Sequence, residues 1–64
     1  MNDLSTNIKV ERTRKRLTQA ELAEKIGVHV CTISAIETGK QQPLFKTVRK
    51  ISEALQVPIE TFAE

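Results

Sequence analysis

The chain has 64 residues, ten of them Lys or Arg, eight Asp or Glu, and a single Cys. A chain of this length is one domain with a small core, burying about 60% of the surface its unfolded form exposes, which excludes a two-lobed catalytic cleft. One cysteine excludes an internal disulfide. With no Trp or Tyr and only Phe45 and Phe62 as aromatics, the chain also lacks the ring platforms on which single-stranded nucleic acid stacks.

The charge is uneven. Residues 1–16 carry Lys9, Arg12, Arg14, Lys15 and Arg16 against Asp3 and Glu11, a balance of +3. Residues 17–40 balance at −1 and residues 41–64 at zero. Basic charge gathered in one segment suits a polyanionic partner. The opening MNDLSTNIKV has no long apolar run of a signal peptide. No stretch nears the roughly 18 apolar residues of a membrane span. A cytoplasmic protein with no membrane partner and no disulfide is expected.

Period-2 alternation is nowhere sustained, and the pattern predicts an all-α fold. A first helix is predicted over about 5–16, with Leu4, Ile8 and Thr13 facing inward, basic residues facing out, and Leu17 anchoring the connection. A second begins at TQAE. Thr18 is its N-cap and Glu21 completes a capping box, in which each side chain satisfies the other's backbone N–H. Leu22, Ala23 and Ile26 form its apolar stripe, and Gly27 stops it by turning left-handed at no steric cost. A third helix covers about 30–38, with Ile33 and Ile36 inward and Gly39 as its stop. KQQP is a turn, since Pro43 cannot continue a helix. A fourth spans about 45–55, with Val48, Ile51 and Leu55 on one face. Pro58 opens a short fifth helix, PIETFA, at the tolerated first position. Phe45, Val57 and Phe62 are expected in the core, with Leu44, Val57, Ile59 and Phe62 open to a share in a dimer surface.

Residues 19–38 carry the functional signal. Two short helices joined by a tight Gly turn cross at a large angle. Ala23 is small enough to let them approach, and Leu22, Ile26, Val28, Ile33 and Ile36 fill the wedge between them. The second of the pair is then held proud of the surface. Its first turn can enter a groove about 12 Å wide, the major groove of B-DNA.

The segments LTQAELAEKIGV, TISAIETGK, the later Pro43 and KISEALQV resemble the Xre-type helix-turn-helix family of lambdoid phage repressors and Cro proteins. The resemblance runs from Ile8 to Phe62. It implies a compact five-helix domain of the lambda-repressor-like type, with helices two and three as the helix-turn-helix. It also implies a homodimer on a two-fold site in double-stranded DNA. By position, Gln19 would contact a phosphate or brace the recognition helix. His29, Val30, Cys31 and Ala35, with Ser34 nearby, take the base-reading positions. Thr32, Thr38, Lys40 and Gln41 would touch the sugar-phosphate backbone. Arg12 and Glu37 match a buried ion pair tying helix one to the end of helix three.

This chain departs from the family pattern at several positions. Val30, Cys31 and Ala35 replace the Gln, Ser or Arg that make bidentate bonds to bases, so readout is expected to lean on thymine methyls, on His29 and on DNA shape. Arg16 sits where relatives carry Gly, and Leu44 where they carry a Ser N-cap. One or two of the five basic residues at positions 9–16 are expected to reach phosphate.

Other chemistry finds little support in the residues. His29 and Cys31 are two apart and do not share a helix face, so no metal site is expected. Glu21, Glu24, Glu53 and Glu60 lie on helix exteriors, and no histidine is placed to activate a Ser or Thr. No enzyme activity and no cofactor are expected. The expected function is a DNA-binding transcriptional regulator, a small bacterial or phage repressor for which contact with RNA polymerase is also open. An antitoxin or anti-repressor with a protein as its main partner is the alternative. It is disfavoured because a toxin-binding segment usually extends beyond the DNA-binding domain.

Overall fold

A computed structural model describes residues 4–62. Asp3 of the basic segment and Ala63 of the expected fifth helix lie outside the described residues. Four α-helices follow one another: α1 (Leu4–Arg14), α2 (Gln19–Ile26), α3 (Val30–Glu37) and α4 (Phe45–Leu55). A 3-10 turn, Ile59–Thr61, closes the sequence of elements, and no strand occurs among the described residues. No helix among them is long and apolar enough to cross a membrane.

The expected fifth helix is therefore replaced by three residues of 3-10 turn. Pro58 caps this turn in an extended conformation. The piece is too short to propagate an α-helix, whose first turn must fix several residues for one hydrogen bond. It nevertheless brings Phe62 down onto the core, where the ring is 5% exposed.

One local chemistry ends all four α-helices. In each, a residue with positive φ lets the next N–H reach back five residues and its own reach back three, the Schellman pattern. Leu17 N–H donates to the Arg12 carbonyl, Val28 to Ala23, Lys40 to Ala35, and Val57 to Ser52. The left-handed residues are Arg16 (φ 60°), Gly27 (77°), Gly39 (80°) and Gln56 (59°). Only the two glycines are legible as stops in the sequence. The other two occupy the same conformation with a Cβ. Helix α1 thus ends at Arg14, two residues before the predicted end, and Arg16 does in its turn what Gly does elsewhere.

A left-handed non-glycine residue carries roughly 1–2 kcal/mol of backbone strain. Glycine gives back roughly 0.5–1 kcal/mol through its looser unfolded state. Arg16→Gly should therefore stabilise the domain, by up to about 1 kcal/mol, as read by urea titration. A loss of stability would mean that the arginine side chain contributes more than its backbone strain costs.

The core is built from Ile8 of α1, Leu22, Ala23 and Ile26 of α2, Ile33 and Ile36 of α3, Ile51 and Leu55 of α4, and Phe62. Full burial of one such aliphatic side chain contributes roughly 1.5–3 kcal/mol. Leu4, Leu17, Val28, Val48, Ala54 and Val57 pack around it. Two inward assignments are corrected. Thr13 is exposed, and its hydroxyl donates to the Lys9 carbonyl 2.8 Å away, so its polarity is met on the helix surface. Phe45 is 70% exposed beside Leu44 at 68%. Both sit at the start of α4, where Val48, Ile51 and Leu55 already fill the inward stripe.

Candidate nucleic-acid interface

Helix α2 starts as its sequence dictates. Thr18 Oγ1 accepts from Glu21 N–H at 3.0 Å and Glu21 Oε1 accepts from Thr18 N–H at 2.8 Å, a complete capping box. Gly27 ends it, and two residues later α3 begins. The N-cap of α3 is His29, in an extended conformation (φ −74°, ψ 147°), with its side chain accepting from Cys31 N–H. Sequence reasoning placed His29 on the reading face and missed this second role. The available signal was position: the residue just before an amphipathic helix is where a side-chain acceptor is needed.

The first two turns of α3 bring the predicted reading residues together. His29, Val30 and Cys31 are exposed, while Thr32, Ser34 and Ala35 are half-buried. Ile33 and Ile36 hold the opposite side in the core, at 0% and 1% exposure. The helix is eight residues long and stops at Glu37, one residue short of the predicted end. Thr38 follows as its C-cap and is exposed. Its hydroxyl donates to the carbonyls of Ser34 and Ala35, at 2.9 and 3.3 Å, so its single O–H is engaged within the helix. Lys40 and Gln41, both exposed, fold back so that their backbone N–H groups share the Ala35 carbonyl. Their side chains thereby flank the C-terminal end of α3.

What fixes α3 to the rest of the molecule is a buried polar cluster. Glu37 is 8% exposed. Its Oε2 accepts from Arg12 Nε at 2.6 Å, and its Oε1 accepts from Arg12 NH2 at 3.1 Å and from Gln19 Nε2 at 2.9 Å. The remaining arm of the guanidinium, NH1, donates to the Leu17 carbonyl at 2.6 Å. One arginine thus clamps a carboxylate bidentately and also holds the turn between α1 and α2. Such charge-assisted, two-pronged bonds add orientation as well as energy. No buried side-chain nitrogen or oxygen among the described residues lacks a partner. The bracing of α3 by Gln19, from the first position of α2, is therefore a direct bond to Glu37.

The remaining cations of the basic segment lie apart from this cluster. Arg14, Lys15 and Arg16 are exposed at the end of α1. Arg14 makes only a loose 3.4 Å pair with Glu11.

Comparison with known proteins follows this geometry. The helix-turn-helix family pattern matches residues 8–62. The chain is 42% identical over 57 residues to an HTH-type transcriptional regulator of Methanocaldococcus jannaschii, MJ0272, covering 89% of this chain and 86% of that one. It is 40% identical over 55 residues to the transcriptional repressor RstR of the cryptic phage CTXphi from Vibrio cholerae, covering 86% of this chain and 50% of that one. Among solved structures it superposes on SinR, a master regulator for biofilm formation solved in complex with DNA, with a TM-score of 0.90 and 33% identity, over 97% of this chain and 100% of that one. The chain spans about half the length of some of these relatives, including 48% of the regulator YqaE of Bacillus subtilis. From the matched segment and the superposed fold, the chain belongs to the Xre-type, lambda-repressor-like helix-turn-helix family.

Proposed function

We propose that this chain is a sequence-specific transcriptional regulator that binds double-stranded DNA as a homodimer and acts as a repressor. The observation that carries the reading is the superposition, over nearly the whole chain, on a domain solved in complex with DNA. Helix α3 enters the major groove. His29, Val30, Cys31, Ser34 and Ala35 face base edges, and Gln19, Thr32, Thr38, Lys40 and Gln41 face the sugar-phosphate backbone. Val30, Cys31 and Ala35 pack on thymine methyls, since none of them can make the bidentate bonds that identify guanine or adenine.

The folded body measures 26 × 24 × 20 Å. Half-sites one helical turn apart are about 34 Å from centre to centre, so bodies of this size, with their side chains, meet near the two-fold axis. Leu44 and Phe45 are the exposed apolar side chains suited to that contact. Repression is steric: an occupied site excludes RNA polymerase. Chromosomal DNA as the partner puts the working protein in the cytoplasm.

Selection of sites from a random duplex pool tests the reading. The expected result is a two-fold symmetric motif, bound far more tightly than scrambled DNA. Weak binding to every duplex alike would overturn it. The salt dependence carries a residue-level expectation. Lys40→Ala should lower the slope of log K against log salt by about 0.9, the signature of one lost phosphate contact, while leaving the selected motif unchanged.

A further inference from the structure

We propose that His29 divides its two ring nitrogens between two tasks: Nδ1 starts the recognition helix, and Nε2–H donates a hydrogen bond to an acceptor on the DNA. The second half rests on the DNA-binding reading above.

The geometry that assigns the tautomer is local. Cys31 N–H points at His29 Nδ1 from 3.1 Å. An amide N–H needs a lone pair, and a ring nitrogen that carries its own proton has none to offer. While the cap is made, Nδ1 is therefore bare. The single proton of the neutral imidazole then sits on Nε2, because the bond made by one ring nitrogen decides the state of the other. The side chain is exposed, and no described residue contacts Nε2.

The composition of the reading face gives this donor its weight. Val30 and Ala35 offer no side-chain donor, the Cys31 thiol is a weak one, and Thr32 is half-buried. The outward N–H of His29 is thus the strong exposed donor in the first turn of α3, the turn whose residues meet base edges in this docking geometry. Its acceptor is an oxygen or nitrogen lone pair: guanine O6 or N7, adenine N7, thymine O4, or a phosphate oxygen. Holding the ring by its Nδ1 also fixes where Nε2 can reach. His29 is then a positioning residue for α3 and a contact residue for DNA at once.

Two variants separate the tasks. Asn is among the best N-cap residues, and its short side chain can accept from Cys31 N–H without reaching as far as Nε2. Ala can do neither. In the free wild-type protein, nitrogen-15 NMR of the ring should show a bare Nδ1 and a protonated Nε2 near neutral pH. His29→Ala should lower the melting temperature by about 4–8 °C, the effect of losing a typical cap in a domain of this size. His29→Asn should restore it. On the duplex selected by the wild type, both variants should bind about tenfold or more weaker, the worth of one good contact. If the acceptor is a base, the loss is confined to duplexes that keep one particular base pair. If it is a phosphate, every duplex weakens alike and a neutral methylphosphonate at one position reproduces the loss.

A protonated Nδ1 in the spectrum would overturn the cap. Unchanged affinity and motif for His29→Asn would overturn the contact. Failure of the wild type itself to select any duplex is a separate result: it removes the DNA-binding reading, and the donor role with it, while the spectrum and the melting temperatures still decide the cap.

Discussion

Arg12→Ala should leave this domain largely unfolded at 37 °C, although Arg12 lies outside the apolar core. The reason is the carboxylate it leaves behind. The Glu37 side chain is 2% exposed and that of Arg12 is 13% exposed, so water cannot readily replace the guanidinium. Removing one partner of a buried pair costs about 3–5 kcal/mol. A domain of this size has only about 3–5 kcal/mol of core-derived stability to lose. Gln19 still donates to Oε1, but one neutral amide cannot offset a buried charge. The Leu17 carbonyl loses its donor as well, which loosens the turn that leads into α2.

The pair as a whole is a different matter. Replacing both charges with apolar groups of similar volume is often neutral or stabilising, because two desolvation costs disappear together. Arg12→Met combined with Glu37→Met should therefore recover most of the stability lost by Arg12→Ala. The four members of this double-mutant cycle, titrated with urea, give the coupling directly. A coupling below about 1 kcal/mol would show that water reaches the carboxylate and that the pair behaves like a surface ion pair. The pair's contribution is then one of geometry. It gives α3 a single seat relative to α1 and α2, which a purely apolar contact specifies less sharply.

The sequence was most legible where the physical signal is local. The capping box at Thr18 and Glu21, the stop at Gly27, and the apolar stripes of α2 and α3 all follow from residues within a few positions of one another. These are the elements observed within a residue of where they were expected. The misses share the opposite property. Arg16 and Gln56 adopt left-handed backbone without being Gly, because the packing of Leu17 and Val57 requires the turn and overrides local preference. Phe45 is apolar yet 70% exposed, since apolar residues are not confined to the interior and its neighbours along α4 already fill the core. The bond from Gln19 to Glu37 spans 18 residues, and only the folded arrangement brings the two together. In the candidate site, residue types and spacing indicated which face reads, whereas the cap made by His29 and the engaged hydroxyl of Thr38 emerged only with side-chain geometry.

A carboxylate on that face separates fold from function most sharply. Cys31 is exposed and lies in the first turn of α3, where the free N–H groups of the helix favour negative charge by about 0.3–1 kcal/mol. Cys31→Asp should therefore leave the melting temperature unchanged or raise it slightly. On DNA the same charge faces the electronegative groove and the phosphates beside it. Like charges brought together at an interface cost several kcal/mol, which corresponds to a loss of affinity of about a hundredfold or more. Cys31→Ala removes the thiol without adding charge and should change affinity much less. The two effects of Cys31→Asp have opposite signs, so a general weakening of the fold cannot imitate the expected result. An aspartate variant that melts like the wild type and still binds the selected duplex at wild-type strength would mean that the first turn of α3 does not face the DNA. A fall in affinity confined to the aspartate variant would place that turn against the groove.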